Sequence, residues 1–140
     1  MEIHLDTPNV RVATDLDLSA VVVEWNYQQW CADTYRKGLQ EGLRLVNQYG
    51  LEYWVANRRH MGPISMRNEG WTFDTWLPGI RKSTLKNIVL IEAEDEFNRQ
   101  VTQQFFCTPI ASTIPIISVC SVEEGLAWIS VKKYPEFSLV

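Results

Sequence analysis

The sequence predicts an α/β domain with a mainly parallel mixed sheet. Three observations predict it. Apolar, β-branched runs of strand length recur along the chain. Between them lie stretches whose apolar residues repeat at helical spacing. After an opening hairpin the two kinds alternate, and such alternation builds parallel strands joined by right-handed crossovers. The expected order is β-β-α-β-α-β-α-β-α, with the N-terminal strand antiparallel at one edge.

Each element has a local reason. Val10-Arg-Val-Ala-Thr14 alternates as a strand does, and Asp15-Leu16-Asp17 suits a turn. Ala20-Val-Val-Val-Glu-Trp25, with Leu18 leading in, reads as a strand buried on both faces and completes an antiparallel hairpin. Tyr35, Leu39, Leu43 and Val46 form the stripe of a first helix, with Asp33 as its N-cap and Gly50 as its stop. Gly38 and Gly42 lie inside it at about 1 kcal/mol each relative to Ala. Their spacing puts them on one face, where another backbone could come close.

Tyr53-Trp-Val-Ala56 is a short strand, followed by a polar loop from Asn57 to Ile64. Ser65 caps a second helix with Phe73, Trp76, Leu77 and Ile80 on its apolar side, and Pro78 kinks or ends it. Lys86–Ile91 is the next buried strand. Glu92, Glu94, Asp95 and Glu96 then suit the positive end of a third helix, whose stripe is Phe97, Val101 and Phe105. Ile114–Val119 is the last strand, with Pro115 tolerated near its start. Ser121-Val-Glu-Glu124 is a capping box for a fourth helix, with Val122, Leu126 and Ile129 inward. The whole chain, 1–140, reads as one domain with its core at about residues 10–131 and a loose tail from Tyr134 to Val140.

Composition narrows the function. Seventeen acidic residues against thirteen basic give a formal charge of −4. That balance argues against nucleic acid as a partner. No run of about 18 apolar residues is present, so no membrane span is expected. The mixed start, Met1-Glu-Ile-His-Leu-Asp6, is unlike a secretory signal and reads as a frayed terminus. Cys31, Cys107 and Cys120 are scattered and odd in number, which fits a reducing, cytoplasmic compartment and small, at least half-buried thiols. No cysteine or histidine spacing fits a metal, and no cofactor motif is present. No nucleophile elbow, phosphate loop or dinucleotide fingerprint occurs, so catalysis is not expected.

The stretch Trp54-Val-Ala-Asn-Arg-Arg-His-Met-Gly-Pro-Ile-Ser65, followed by Trp71 and by Trp76-Leu-Pro78, resembles the SpoIIAA-like STAS domains. It is most similar to the small stand-alone bacterial proteins described as STAS/SEC14 domain-containing, over roughly Val10 to Val131. The resemblance implies a mixed sheet with helices packed mostly on one face, and a regulatory or protein-interaction role in the bacterial cytoplasm. In the best-understood members a Ser or Thr after this same strand is phosphorylated. Here the segment Asn57–Gly62 carries no hydroxyl, Asn57 stands where an Asp is usual, and the nearest hydroxyl, Ser65, is explained first as a helix cap.

The candidate site follows from the parallel sheet, in which ligands settle beyond the carboxyl ends of the strands. Asn57, Arg58, Arg59 and His60 fall there, with the second helix beginning at Ser65 to offer donors. A phosphorylated or acidic partner, or an anion, suits that set. Trp71, two residues before Phe73 and off its stripe, is a candidate for lining a pocket or an interface. The expected function is therefore a non-catalytic interaction module with a protein partner. The alternatives are a binder of a small apolar or anionic ligand, and an enzyme whose site is assembled from distant residues. An exposed sheet edge or the off-stripe Trp residues offer a surface for a homodimer.

Overall fold

The computed structural model describes residues 1–27, 32–61, 65–92, 96, 100 and 114–137. Six strands form one mixed sheet whose spatial order is the chain order: β1 (Glu2–Asp6), β2 (Val10–Asp15), β3 (Ala20–Tyr27), β4 (Tyr53–Met61), β5 (Asn87–Ile91) and β6 (Ile116–Val119). The first three strands pair antiparallel, and β3 to β6 run parallel. Helix α1 (Ala32–Tyr49) follows β3. A segmented helix follows β4: α2 (Met66–Trp71), one π turn (Thr72–Trp76) and α3 (Leu77–Arg81). Helix α4 (Val122–Lys133) follows β6. The expected third helix, with Phe97, Val101 and Phe105, lies outside the described residues.

The edge strand is not the expected one. β1 lies outside Val10–Asp15, so the chain opens with three antiparallel strands rather than two. The start of the chain is short and charged and carries little strand propensity of its own. Pairing with β2 supplies what propensity lacks, and His4 Nε2 lies 2.9 Å from Thr14 Oγ1, a hydrogen bond that fixes it. The pairing slips between Ile3 and Leu5. A bulge and flanking charges at a sheet edge discourage further strands from adding to it.

The two faces of the sheet are covered by different elements. Val10, Val12, Val21, Val23, Trp25, Trp54, Ile88 and Leu90 point to α1, the π turn and α3, which contribute Tyr35, Leu39, Leu45, Val46, Trp76, Leu77 and Ile80. Ala20, Val22, Tyr53, Val55, Val89 and Ile91 point the other way, to Ile129, Leu126 and Val122 of α4. Among the described helices, α1 to α3 lie on one face of the sheet and α4 on the other. The approach allowed by Gly38 and Gly42 is made by indole rings rather than by a backbone. A Cβ at Gly38 would sit 2.8 Å from the Trp25 ring, and one at Gly42 2.3 Å from the Trp54 ring.

Local signals act where the sequence has them. Helix α1 stops at Gly50, whose φ is +62°, and Leu51 N–H donates to Val46 C=O at 3.1 Å, the reversed turn that glycine permits. Asp33 lies in the first turn of α1 rather than at its cap. Ser65 Oγ accepts from Asn68 N–H, and Ser121 Oγ accepts from Glu124 N–H, each at 3.1 Å. Pro78 does not end the second helix. A π turn precedes it, with Leu77 N–H reaching back to Thr72 C=O, and the helix restarts with proline in its first turn, where no N–H is needed. Where the tail begins, Tyr134 Oη donates to Asp17 C=O at 3.0 Å, and Pro135–Phe137 make a 3₁₀ turn.

Candidate functional site

The polar residues after Ala56 are strand, not loop. β4 continues to Met61 because β3 runs on to Tyr27 and keeps offering backbone partners. The continuation carries a fault. Glu24 pairs with Asn57 and Asn26 with His60, so one residue of β3 faces two of β4. This bulge adds a residue to β4 and reverses which side its later residues take. Met61 thereby enters the core beneath α1, and His60 joins Asn57 and Arg59 on the face of α4.

The six residues singled out in the sequence are thus divided by the sheet. Asn57, Arg59 and His60 share the α4 face, whereas Arg58, Ser65 and Trp71 belong to the α1 face. The second group is used structurally. Arg58 is half-buried, and its Nε donates to Met61 Sδ at 3.1 Å. Burial lowers its pKa, opposed by Tyr35 and Glu92, but an arginine begins so high that it stays charged. Ser65 caps α2. Trp71 packs edge-on to Tyr35 with ring centres 6.4 Å apart, under the Arg36 guanidinium at 5.3 Å. Arg36 Nε also donates to Asn68 Oδ1 at 3.1 Å. A hydrogen-bond chain lies beside this cluster: Thr72 Oγ1 donates to Asn68 C=O, so Tyr35 Oη donates to Thr72 Oγ1, both at 2.7 Å. Burial raises the Tyr35 pKa and keeps the phenol neutral in this chain.

The first group opens to the surface. Asn57 is its hinge: Nδ2 donates to Glu24 Oε2, and Oδ1 accepts from Arg59 N–H, both at 3.2 Å. The Arg59 guanidinium reaches over the end of β5 and donates to Cys120 C=O. Cys120 N–H donates in turn to Glu124 Oε2 at 2.9 Å, so the capping box of α4 reaches one residue before its cap. Side chains from β3 and β4 are in this way tied to the junction of β6 and α4. Cys120 itself is exposed, not half-buried as its residue type suggested. Cys31 and Cys107 lie outside the described residues.

Two hollows meet at this rim. One of about 350 Å³ is bordered by Asp6, Arg11, Glu24, Trp25, Asn57 and His60. The other, of about 180 Å³, is bordered by Glu24, Asn57, Arg59, His60, Ser121 and Glu123. Glu24, Asn57 and His60 belong to both, so the hollows form one groove along the carboxyl ends of β3 and β4. Sequence reasoning missed Glu24. Its signal was a lone carboxylate at the end of an otherwise apolar buried strand, Ala20–Trp25. Ser121 and Glu123, about a hundred residues away, gave no signal beyond helix capping. Among the described residues, no three or more His, Cys, Asp or Glu side chains stand close enough to hold a metal, and no helix is long and apolar enough to cross a membrane.

Comparison of the chain with family models, with curated proteins and with solved structures gives no match.

Proposed function

We propose that this protein is a non-catalytic interaction module of the STAS type, and that the groove at the carboxyl ends of β3 and β4 receives a protein partner. The observation that carries the reading is the β4 bulge, which turns His60 to the side of Asn57 and Arg59. A continuous strand would have sent it to the opposite face. Three of the residues expected at the site then surround one groove together with Glu24. Function-bearing residues commonly sit at such bulges and at the carboxyl ends of parallel strands. The stretch Trp54–Ser65 supports the family part of the reading through its resemblance to STAS domains.

The chemistry of the rim favours binding over turnover. Asn57 holds Glu24 and the backbone of β4, Arg59 holds Cys120, and the Ser121 hydroxyl holds the first turn of α4. These groups are arranged for shape and display, and a nucleophile oriented by a base is a different arrangement. The larger hollow is also within the size range of small-ligand sites, from about 300 Å³ upward. A small molecule carried through native mass spectrometry would favour that second reading.

The test compares partner capture by the wild type, Arg59→Ala, His60→Ala and Trp71→Ala. The two groove variants should lose a partner that the wild type retains, with the melting temperature within a few degrees of wild type. Trp71→Ala should lower stability while retaining the partner. Equal capture by all four proteins, or loss confined to Trp71→Ala, overturns the proposal.

A further inference from the structure

We infer that the groove takes a cationic side chain of its partner, a lysine or an arginine, with the positive group set on Glu24. The inference rests on the groove being the partner-binding surface. The sequence alone pointed to an anion, because Arg58, Arg59 and His60 are consecutive. The fold changes that balance. Arg58 faces the other side of the sheet. The Arg59 guanidinium is engaged with the Cys120 carbonyl, and Arg11 with Asp6 at 3.5 Å.

The carboxylates are less well matched. The larger hollow is bordered by Asp6 and Glu24 against Arg11, and the smaller by Glu24 and Glu123 against Arg59. Each thus holds two carboxylates, one guanidinium and the His60 imidazole. Glu24, common to both, is half-buried at the junction. Its hydrogen bond is to the Asn57 amide, a neutral donor, and among the described residues it has no cationic partner. A carboxylate taken partly out of water is stabilised most by a charged donor, and a guanidinium or ammonium supplies one. A hollow of about 350 Å³ has room for one long side chain.

The experiment titrates isotope-labelled protein with three blocked tripeptides, Gly-Arg-Gly, Gly-citrulline-Gly and Gly-Glu-Gly, while amide resonances are followed. Citrulline keeps the shape of arginine and removes its charge. The arginine peptide should shift the Asn57 side-chain amide and the Asn26 and His60 backbone amides. It should bind at least tenfold more tightly than the citrulline peptide. Glu24→Gln, which keeps the size and one carbonyl oxygen, should abolish that preference with the rest of the spectrum unchanged. Equal binding of arginine and citrulline peptides, or tighter binding of the glutamate peptide at the same amides, overturns the inference. The two proposals fail differently. Partner capture lost with Arg59→Ala and His60→Ala but kept with Glu24→Gln sinks the cationic side chain and leaves the binding surface standing. Capture indifferent to all three substitutions sinks both.

Discussion

The face of the sheet under α1 and the face under α4 are both buried, yet they are built on different terms. Under α1 the filling is aromatic. Trp54 and Trp76 meet edge to face with ring centres 5.2 Å apart, Trp25 stacks on Tyr35 at 5.5 Å, and Trp76 Nε1 donates to Leu39 C=O at 3.1 Å. Two helical glycines are pressed against those rings. Under α4 the filling is mostly aliphatic, from Ala20, Val22, Val55, Val89, Ile91 and Ile129, with a single aromatic pair, Tyr53 edge-on to Trp128 at 6.3 Å, and that helix is tied at its ends by polar contacts. At one end Arg59 meets Cys120. At the other, Glu52 pairs with Lys86 at 2.7 Å and with Lys133 of α4 at 3.8 Å. Large interlocked rings fix one position for a helix. Beside α4, among the described residues, the carboxyl ends of β3 and β4 border the groove. The difference teaches where a site can form in such a sheet: beside the lighter cover.

The contrast can be broken most directly at the glycines. Gly42→Ala would drive a methyl group to 2.3 Å from a Trp54 ring that Trp76 holds in place. We expect a loss of about 3 kcal/mol, the upper end for overpacked cores. Gly125→Ala on α4 meets one Val89 methyl at 2.9 Å, and alanine returns about 1 kcal/mol of helix propensity. Its net effect should be near zero. Urea unfolding of the two variants decides the matter, and equal losses would erase the distinction between the faces.

Smaller effects separate the faces by pH. Tyr35→Phe removes the hydroxyl from the chain to Thr72 and should cost about 1 kcal/mol at neutral pH. Because burial raises the Tyr35 pKa, the stability it gives is complete below the ordinary value of 10.0 and is lost as pH rises through the folded value. The wild type should therefore weaken above pH 10 more steeply than Tyr35→Phe, a difference readable in thermal melts. Glu52 has the opposite sign. Lys86 foremost, with Lys133 adding, holds its carboxyl below the ordinary 4.5. Its contribution is present above 4.5 and is lost as pH falls through the lowered value. Glu52→Gln should shift acid unfolding slightly, because the pair is partly solvated, and should also remove the small alkaline loss that comes from Glu52 holding the Lys86 pKa up. No acid change in Glu52→Gln, an acid change in Tyr35→Phe, or no alkaline change in Tyr35→Phe would show that the faces are not separately anchored.

Much of the frame was legible because its signals are local. β-branched runs marked β2, β3 and β5, Gly50 marked the end of α1, and Ser65 and Ser121 marked helix starts, each through contacts a few residues away. The site was legible in name only. Asn57, Arg59 and His60 were noticed, but as loop residues in company with Arg58, Ser65 and Trp71, from which the sheet separates them. Glu24 was passed over because one carboxylate in a strand carries no motif. Its meaning comes from Asn57, thirty-three positions along the chain.

The amino-acid sequence by itself determined the alternation of strands and helices and the caps and stops that bound them, because those depend on neighbours within a turn or two. Tertiary structure alone decided that the first five residues after Met1 are a strand, that β4 runs to Met61 with an extra residue, and which face each polar side chain occupies. Pairing register is set by a strand elsewhere in the chain, and shifting it by one residue moves a side chain to the opposite face. The chemistry of the groove follows from that shift.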